Sequence, residues 1–108
     1  MATLLPKERA ALAVLKQALG RDFPLVSLSL FGSKARGSSR PDSDIDVLIV
    51  LQDCDWETRK RVSALCFDVG LDGGVVISPV IVSRARIDSP AARAAPFYRA
   101  MARDGVTV

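Results

Sequence analysis

Residues 30–50 read Leu30-Phe31-Gly32-Ser33-Lys34-Ala35-Arg36-Gly37-Ser38-Ser39-Arg40-Pro41-Asp42-Ser43-Asp44-Ile45-Asp46-Val47-Leu48-Ile49-Val50. An apolar strand ends at Phe31, a Gly/Ser/Arg-rich loop follows, and Asp44-Ile45-Asp46 leads into a second apolar strand. Residues two apart in a strand share a face, so the two carboxylates stand side by side, roughly 7 Å apart at the Cα atoms. Adjacent carboxylates repel, and both stay ionised most readily with a cation between them. Hard oxygen donors of this kind suit Mg²⁺, which is commonly held by one or two carboxylates together with the phosphates of its substrate.

The loop before the aspartates is built for anions. Gly32 has no Cβ, so a phosphate can approach the backbone there. Ser33 brings a hydroxyl and an N–H to the start of a short helical turn predicted from Lys34 onward, where N–H groups and the dipole favour negative charge. Lys34, Arg36 and Arg40 place positive charge beside it. Phosphate on one side and a carboxylate pair on the other is the layout that nucleoside triphosphate chemistry needs.

Working outward, 108 residues of which 49% are hydrophobic imply one domain with a modest core. No apolar run reaches the length of a membrane span, and the N-terminus lacks the pattern of a signal peptide, so a cytoplasmic protein is the expectation. Cys54 and Cys66 are too few and too irregularly spaced for a disulfide framework or a zinc site, and read as reduced structural thiols. Histidine is absent. That excludes His-based triads and histidine metal sites, and leaves carboxylates, Arg/Lys, hydroxyls, backbone N–H groups and a metal as the available chemistry. A net charge of +3 suits phosphate binding without marking a nucleic-acid surface.

Periodicity supplies the remaining elements. Residues 6–19 predict an amphipathic helix with Pro6 in its first turn, Ala11, Leu12, Leu15, Ala18 and Leu19 on its buried face, and Gly20 as its stop. Leu25 to Phe31 alternates as a half-buried strand, with Val26, Leu28 and Leu30 on one face. Ile45 to Leu51 is almost continuously apolar, as a central strand buried on both faces would be. A helix over about 56–69, capped by Asp53 or Asp55, buries Val62, Leu65, Cys66 and Val69 and breaks at Gly70 or Gly73-Gly74. Val75 to Val82 is a third strand, and Pro79 puts it at an edge or a bulge. An arginine-rich segment leads to a last helix from Pro96, packed through Phe97, Tyr98 and Met101 and stopped at Gly105. Val106 to Val108 follows as a tail or strand stub. The expected fold is α/β (α+β): a small mixed β-sheet with helices mainly on one face.

Gly32-Ser33, then Ala35-Arg36-Gly37, then Ser43-Asp44-Ile45-Asp46-Val47 closely resembles the DNA polymerase β-like nucleotidyltransferase superfamily. More narrowly, it resembles the minimal nucleotidyltransferases, single-domain proteins that act as antitoxins to HEPN-type ribonuclease toxins. The motif covers about a fifth of the chain, and Val76 to Val82 and Pro96 to Val106 are similar to that group more loosely. The resemblance implies a single domain over 1–108 with the polymerase β-like nucleotidyltransferase fold. It implies that Gly32 and Ser33 hold the phosphates of ATP and that Asp44 and Asp46 bind Mg²⁺ and act in catalysis. Arg36 would steady the triphosphate or face an acidic partner surface; a surface arginine paired with a carboxylate is the plainer alternative.

That family pattern includes a third carboxylate on a later strand. Here the strand over 75–82 contains no acid; Ser78 is its polar side chain, and Asp68 and Asp72 lie before it. Two functions therefore stand side by side. One is transfer of AMP from ATP to a hydroxyl, such as a tyrosine, of a partner toxin. The other is neutralisation of that toxin by binding, with the chemistry weak or lost. Modification of a small molecule is a third, disfavoured because the chain offers no second domain to enclose such a substrate.

Overall fold

The computed structural model describes residues 4–37 and 44–108, with the side chains of Ser33 and Arg36 excepted. Helix α1 (Pro6–Asp22) leads into strand β1 (Leu25–Phe31) and the single-turn helix α2 (Gly32–Arg36). Strand β2 (Ile45–Leu51), helix α3 (Trp56–Gly73) and strand β3 (Ile77–Ser83) follow. Short helices α4 (Arg84–Ile87) and α5 (Pro90–Ala94), helix α6 (Pro96–Asp104) and the stub β4 (Val106–Thr107) complete the chain. The strands form one mixed sheet in the order β3-β2-β1-β4.

β2 runs antiparallel to β1 and parallel to β3, and β4 lies antiparallel on the free side of β1. The parallel pair needs a crossover, and α3 provides it. β2 is thus interior, in keeping with its unbroken apolar sequence, and β3 is an edge strand where a proline without an N–H is tolerated.

Alternation along the strands divides the sheet into two faces. Leu28 and Leu30 of β1, Ile45, Val47, Ile49 and Leu51 of β2, and Ile77 and Ile81 of β3 point to one of them. There they join Ala11, Leu12, Leu15 and Leu19 of α1 and Val62, Cys66 and Val69 of α3 in a single apolar core. The two long helices share this face, as the expected fold requires. The opposite face carries Phe31, Asp46 and Ser78, which stand in one row across three strands because Phe31 is paired with Asp46 and Asp46 with Ser78. α6 lies on that side, packing against α2, with Phe97 edge-on to Phe31 at 5.1 Å.

Several boundaries differ from the sequence expectation, each for a local reason. α1 runs through Gly20 to Asp22 and ends where Phe23 turns extended before Pro24, which the residue before a proline favours. α2 begins at Gly32 rather than Lys34. α3 continues past Gly70 to Gly73 and stops at Gly74, whose φ of 69° is the left-handed end glycine accommodates. Gly70 is needed for another reason: a Cβ there would meet the Val75 carbonyl oxygen at 2.7 Å. β3 spans 77–83 rather than 75–82, and a register shift between Leu25 and Ser27 leaves Val26 exposed instead of in the core. No residue of α6 is fully buried, so Phe97, Tyr98 and Met101 pack only in part. α4 and α5, which periodicity did not reveal, are single turns capped by Ser83 and Ser89.

Asp55 caps α3 by accepting from the Thr58 N–H at 2.7 Å, which holds its carboxyl below the usual carboxylate range. At the other end of the core layer, the Arg61 guanidinium lies 5.0 Å from the centre of the Phe23 ring, tying α3 to the end of α1. Among the described residues no helix is long and apolar enough to cross a membrane.

The two cysteines sit in different surroundings. Cys66 is in the core, and burial pushes its thiol up to about 11, whereas Cys54 is only half-buried. Because the thiolate is the reactive form, iodoacetamide at pH 8 should label Cys54 in the native protein and reach Cys66 only after unfolding. Mass spectrometry before and after denaturant reads this directly; two fast native labels would contradict the placement of Cys66.

Candidate functional site

The antiparallel register of β1 and β2 builds the site. Phe31, the last residue of β1, is opposite Asp46 in β2, so the chain leaves β1 beside the carboxylate. The next residue is Gly32, with φ of 70°, and a Cβ added there would fall 2.5 Å from Asp46 Oδ2. Only glycine meets both demands, a left-handed backbone and a carboxylate against its Cα. The glycine proposed for phosphate and the aspartate proposed for metal are therefore in contact, at the junction of β1, α2 and β2.

Asp44 and Asp46 lie one strand period apart at the start of β2, Asp44 exposed and Asp46 half-buried. Asp44 does not stand alone: the Ser78 hydroxyl of β3 donates to its Oδ2 at 3.2 Å. The same Ser78 is the β3 partner of Asp46 in the parallel ladder. Gly32, Asp44, Asp46 and Ser78 thus come from three strand ends and converge at one edge of the open face.

The other expected residues divide. Ser33 and Arg36 belong to α2, but their side chains lie outside the described residues, as do Arg40 and the rest of the loop over 38–43. Asp68 and Asp72 are exposed on α3, the helix packed on the opposite face, and do not join the pair. Among the described residues no cluster of three or more acidic, cysteine or histidine side chains could hold a metal. What remains is a two-carboxylate site of hard oxygen donors, which fits Mg²⁺ shared with a substrate's phosphates rather than a closed protein cage. Two surface hollows, one partly lined by Val14, Val69 and Asp72 and one by Leu12 and Val108, include none of Gly32, Asp44, Asp46 and Ser78.

Lys34 requires a correction. Read as phosphate-side charge, it is fully buried, with its Nζ 2.6 Å from Glu8 Oε2 of α1. Glu8 is equally buried, and its Oε1 accepts from the Leu5 N–H at 2.8 Å. The lysine charge is neutralised inside the protein and pins α2, and with it Gly32, to the start of α1.

The comparisons bear on the family and the fold. A model of the nucleotidyltransferase domain family matches residues 12–84. That span takes in all three strands of the site, and the chain belongs to that family. Among solved structures, a toxin–antitoxin structure with AMP-PNP is similar over 95% of this chain and 72% of its own, with a TM-score of 0.59 and 20% identity. A protein from Sulfolobus solfataricus, provisionally described as a nucleotidyltransferase, is similar over 99% of this chain and 89% of its own, with a TM-score of 0.55 and 20% identity. None of the curated proteins compared with this chain matches it.

Two substitutions test the construction. Gly32→Ala should lower stability by about 1–2 kcal/mol through the left-handed backbone alone, before the displacement of Asp46 is counted. Urea unfolding measures it, and an unchanged midpoint would contradict the close approach. Lys34→Ala strands a buried carboxylate and should cost about 3–5 kcal/mol, while the joint change Glu8→Leu/Lys34→Met should recover most of the loss.

Proposed function

We infer that this chain is a Mg²⁺-dependent nucleotidyltransferase that moves AMP from ATP onto a hydroxyl, most simply a tyrosine, of a HEPN-type partner toxin, and so serves as its antitoxin. The observation that carries this reading is the contact between Gly32 and Asp46, with Asp44 alongside: a phosphate cradle and a carboxylate pair meet at one point. The likeness to a toxin–antitoxin structure with AMP-PNP supports both the nucleotide and the kind of partner. In this reading the 108 residues act as one minimal domain in the cytoplasm.

Each group has a defined task. Gly32 and the Ser33 N–H receive the phosphates, and Asp44 and Asp46 hold the cation. When bound, that cation neutralises charge on the triphosphate and on the departing pyrophosphate. The acceptor oxygen attacks the α-phosphorus, a new P–O bond forms, and the bond to the β-phosphate oxygen breaks. The hydroxyl proton passes to Asp46 or to water, since among the described residues no third acid stands beside the pair. The pair lies on the open face, with Asp44 exposed and Asp46 half-buried, so the acceptor's own surface closes the site.

A second reading, neutralisation by binding alone, draws on the two-carboxylate site and on Trp56, Phe67 and Leu71. These three side chains are exposed on one side of α3, an apolar strip suited to a protein partner. The experiment that separates the two incubates the protein with Mg²⁺, ATP and the neighbouring gene's product, and then weighs both proteins. A gain of one AMP on the partner, lost in Asp44→Ala/Asp46→Ala, is the expected result. A stable inhibitory complex without mass change, formed equally by the double mutant, would overturn transfer in favour of binding.

A further inference from the structure

We propose that Ser78 is a positioning residue of the cation site, its hydroxyl orienting Asp44 for a divalent metal. This rests on the two-aspartate reading above and adds a residue from a third strand. Asp44 precedes β2 and is exposed, so its carboxylate would rotate freely unless something holds it. Among the described residues, the bond that holds it is the one from Ser78 Oγ, 34 residues away in sequence.

The chemistry of a hydroxyl suits this task. Ser78 has one O–H to donate and donates it to Oδ2, which leaves the lone pairs of Oδ1 for a cation. It adds no charge, so the site keeps two negative charges to set against a divalent ion. An acid at the same place would accept rather than donate, and at that separation it would repel both aspartates. The location is also specific. Ser78 is the neighbour of Asp46 in the β2–β3 ladder, and it is set in an otherwise apolar run from Ile77 to Val82. Outer-sphere hydrogen bonds of this kind orient ligands and commonly change metal affinity by about 10–100-fold when removed.

The test uses Mn²⁺ as a paramagnetic probe of the divalent site, titrated with the intact protein in the presence of ATP and followed by electron paramagnetic resonance. Ser78→Ala and Ser78→Val should raise the Mn²⁺ Kd by about 10-fold, whereas Ser78→Thr, which keeps the hydroxyl in the shape of valine, should stay within about 3-fold. Thermal melting of the same variants separates a structural effect, which would move Tm without distinguishing Thr from Val in Kd. Equal Kd values for Thr and Val, or an unchanged Kd in Ser78→Ala while Asp44→Asn loses binding, would overturn the role of Ser78. If Asp44→Asn and Asp46→Asn also bind Mn²⁺ as the wild type does, the two-aspartate site itself is wrong and the role of Ser78 falls with it.

Discussion

The closeness of Gly32 to Asp46 is the constraint around which this small domain is arranged. It exists only because β1 and β2 are antiparallel in one register, with Phe31 opposite Asp46. A one-residue slip would turn Asp46 toward the apolar core and bring Val47 to the open face. The core therefore guards the site. Ile45, Val47, Ile49 and Leu51 are held between α1 and α3, and their burial obliges Asp46 to face the other way. The stability of the apolar layer and the aim of the carboxylate are consequences of the same alternation.

A second constraint fixes the far side of the glycine. α2 is a single turn, too short to persist by its own hydrogen bonds. The buried Glu8–Lys34 pair ties it to α1, and the Leu5 N–H shares the same carboxylate. Such a pair gains little over apolar residues of the same size, because desolvation offsets attraction. Its value is geometric. A charged pair tolerates fewer arrangements than a greasy contact, so it specifies where the turn after Gly32 sits.

These two constraints differ in how they can be read. The strands, α1 and α3 follow from periodicity, and their buried residues, from Ala11 to Leu19 and from Val62 to Val69, are those that spacing predicts, save that Leu65 packs against the core only in part. Gly-Ser and Asp-x-Asp mark the site for the same reason, since their chemistry is local. Lys34 does not, because a lysine in a Gly/Ser/Arg loop looks solvated until a carboxylate 26 residues earlier is known to be buried beside it. Ser78 is silent likewise, a hydroxyl in an apolar strand whose partner appears only with the β2–β3 register. α4 and α5 escape periodicity because one turn cannot display a period; Ser83 and Ser89-Pro90 are their readable signals, as caps. What sequence reasoning loses is what depends on tertiary pairing of single polar groups.

The same distinction bears on the chemistry. The proposed site of two aspartates steadied by a serine would be poorer in bases than one with three acids, but not poorer in binding. In the proposed reading phosphate approach would depend on Gly32 and cation binding on Asp44 and Asp46, and neither would need a third carboxylate. Deprotonating the acceptor is the step that such a site leaves to others, and a tyrosine hydroxyl, more acidic than an aliphatic one, asks least of it. A proposed acceptor on a partner protein would also bring its own surroundings, so a base could be supplied at the interface. The open face around Asp46 and the apolar strip on α3 are on different sides of the sheet. A partner that grips α3 must therefore reach around the sheet, or a second partner molecule must present the hydroxyl. The two proposed activities, binding and transfer, would in that sense be separable in one small fold, the second open to loss without disturbing the first.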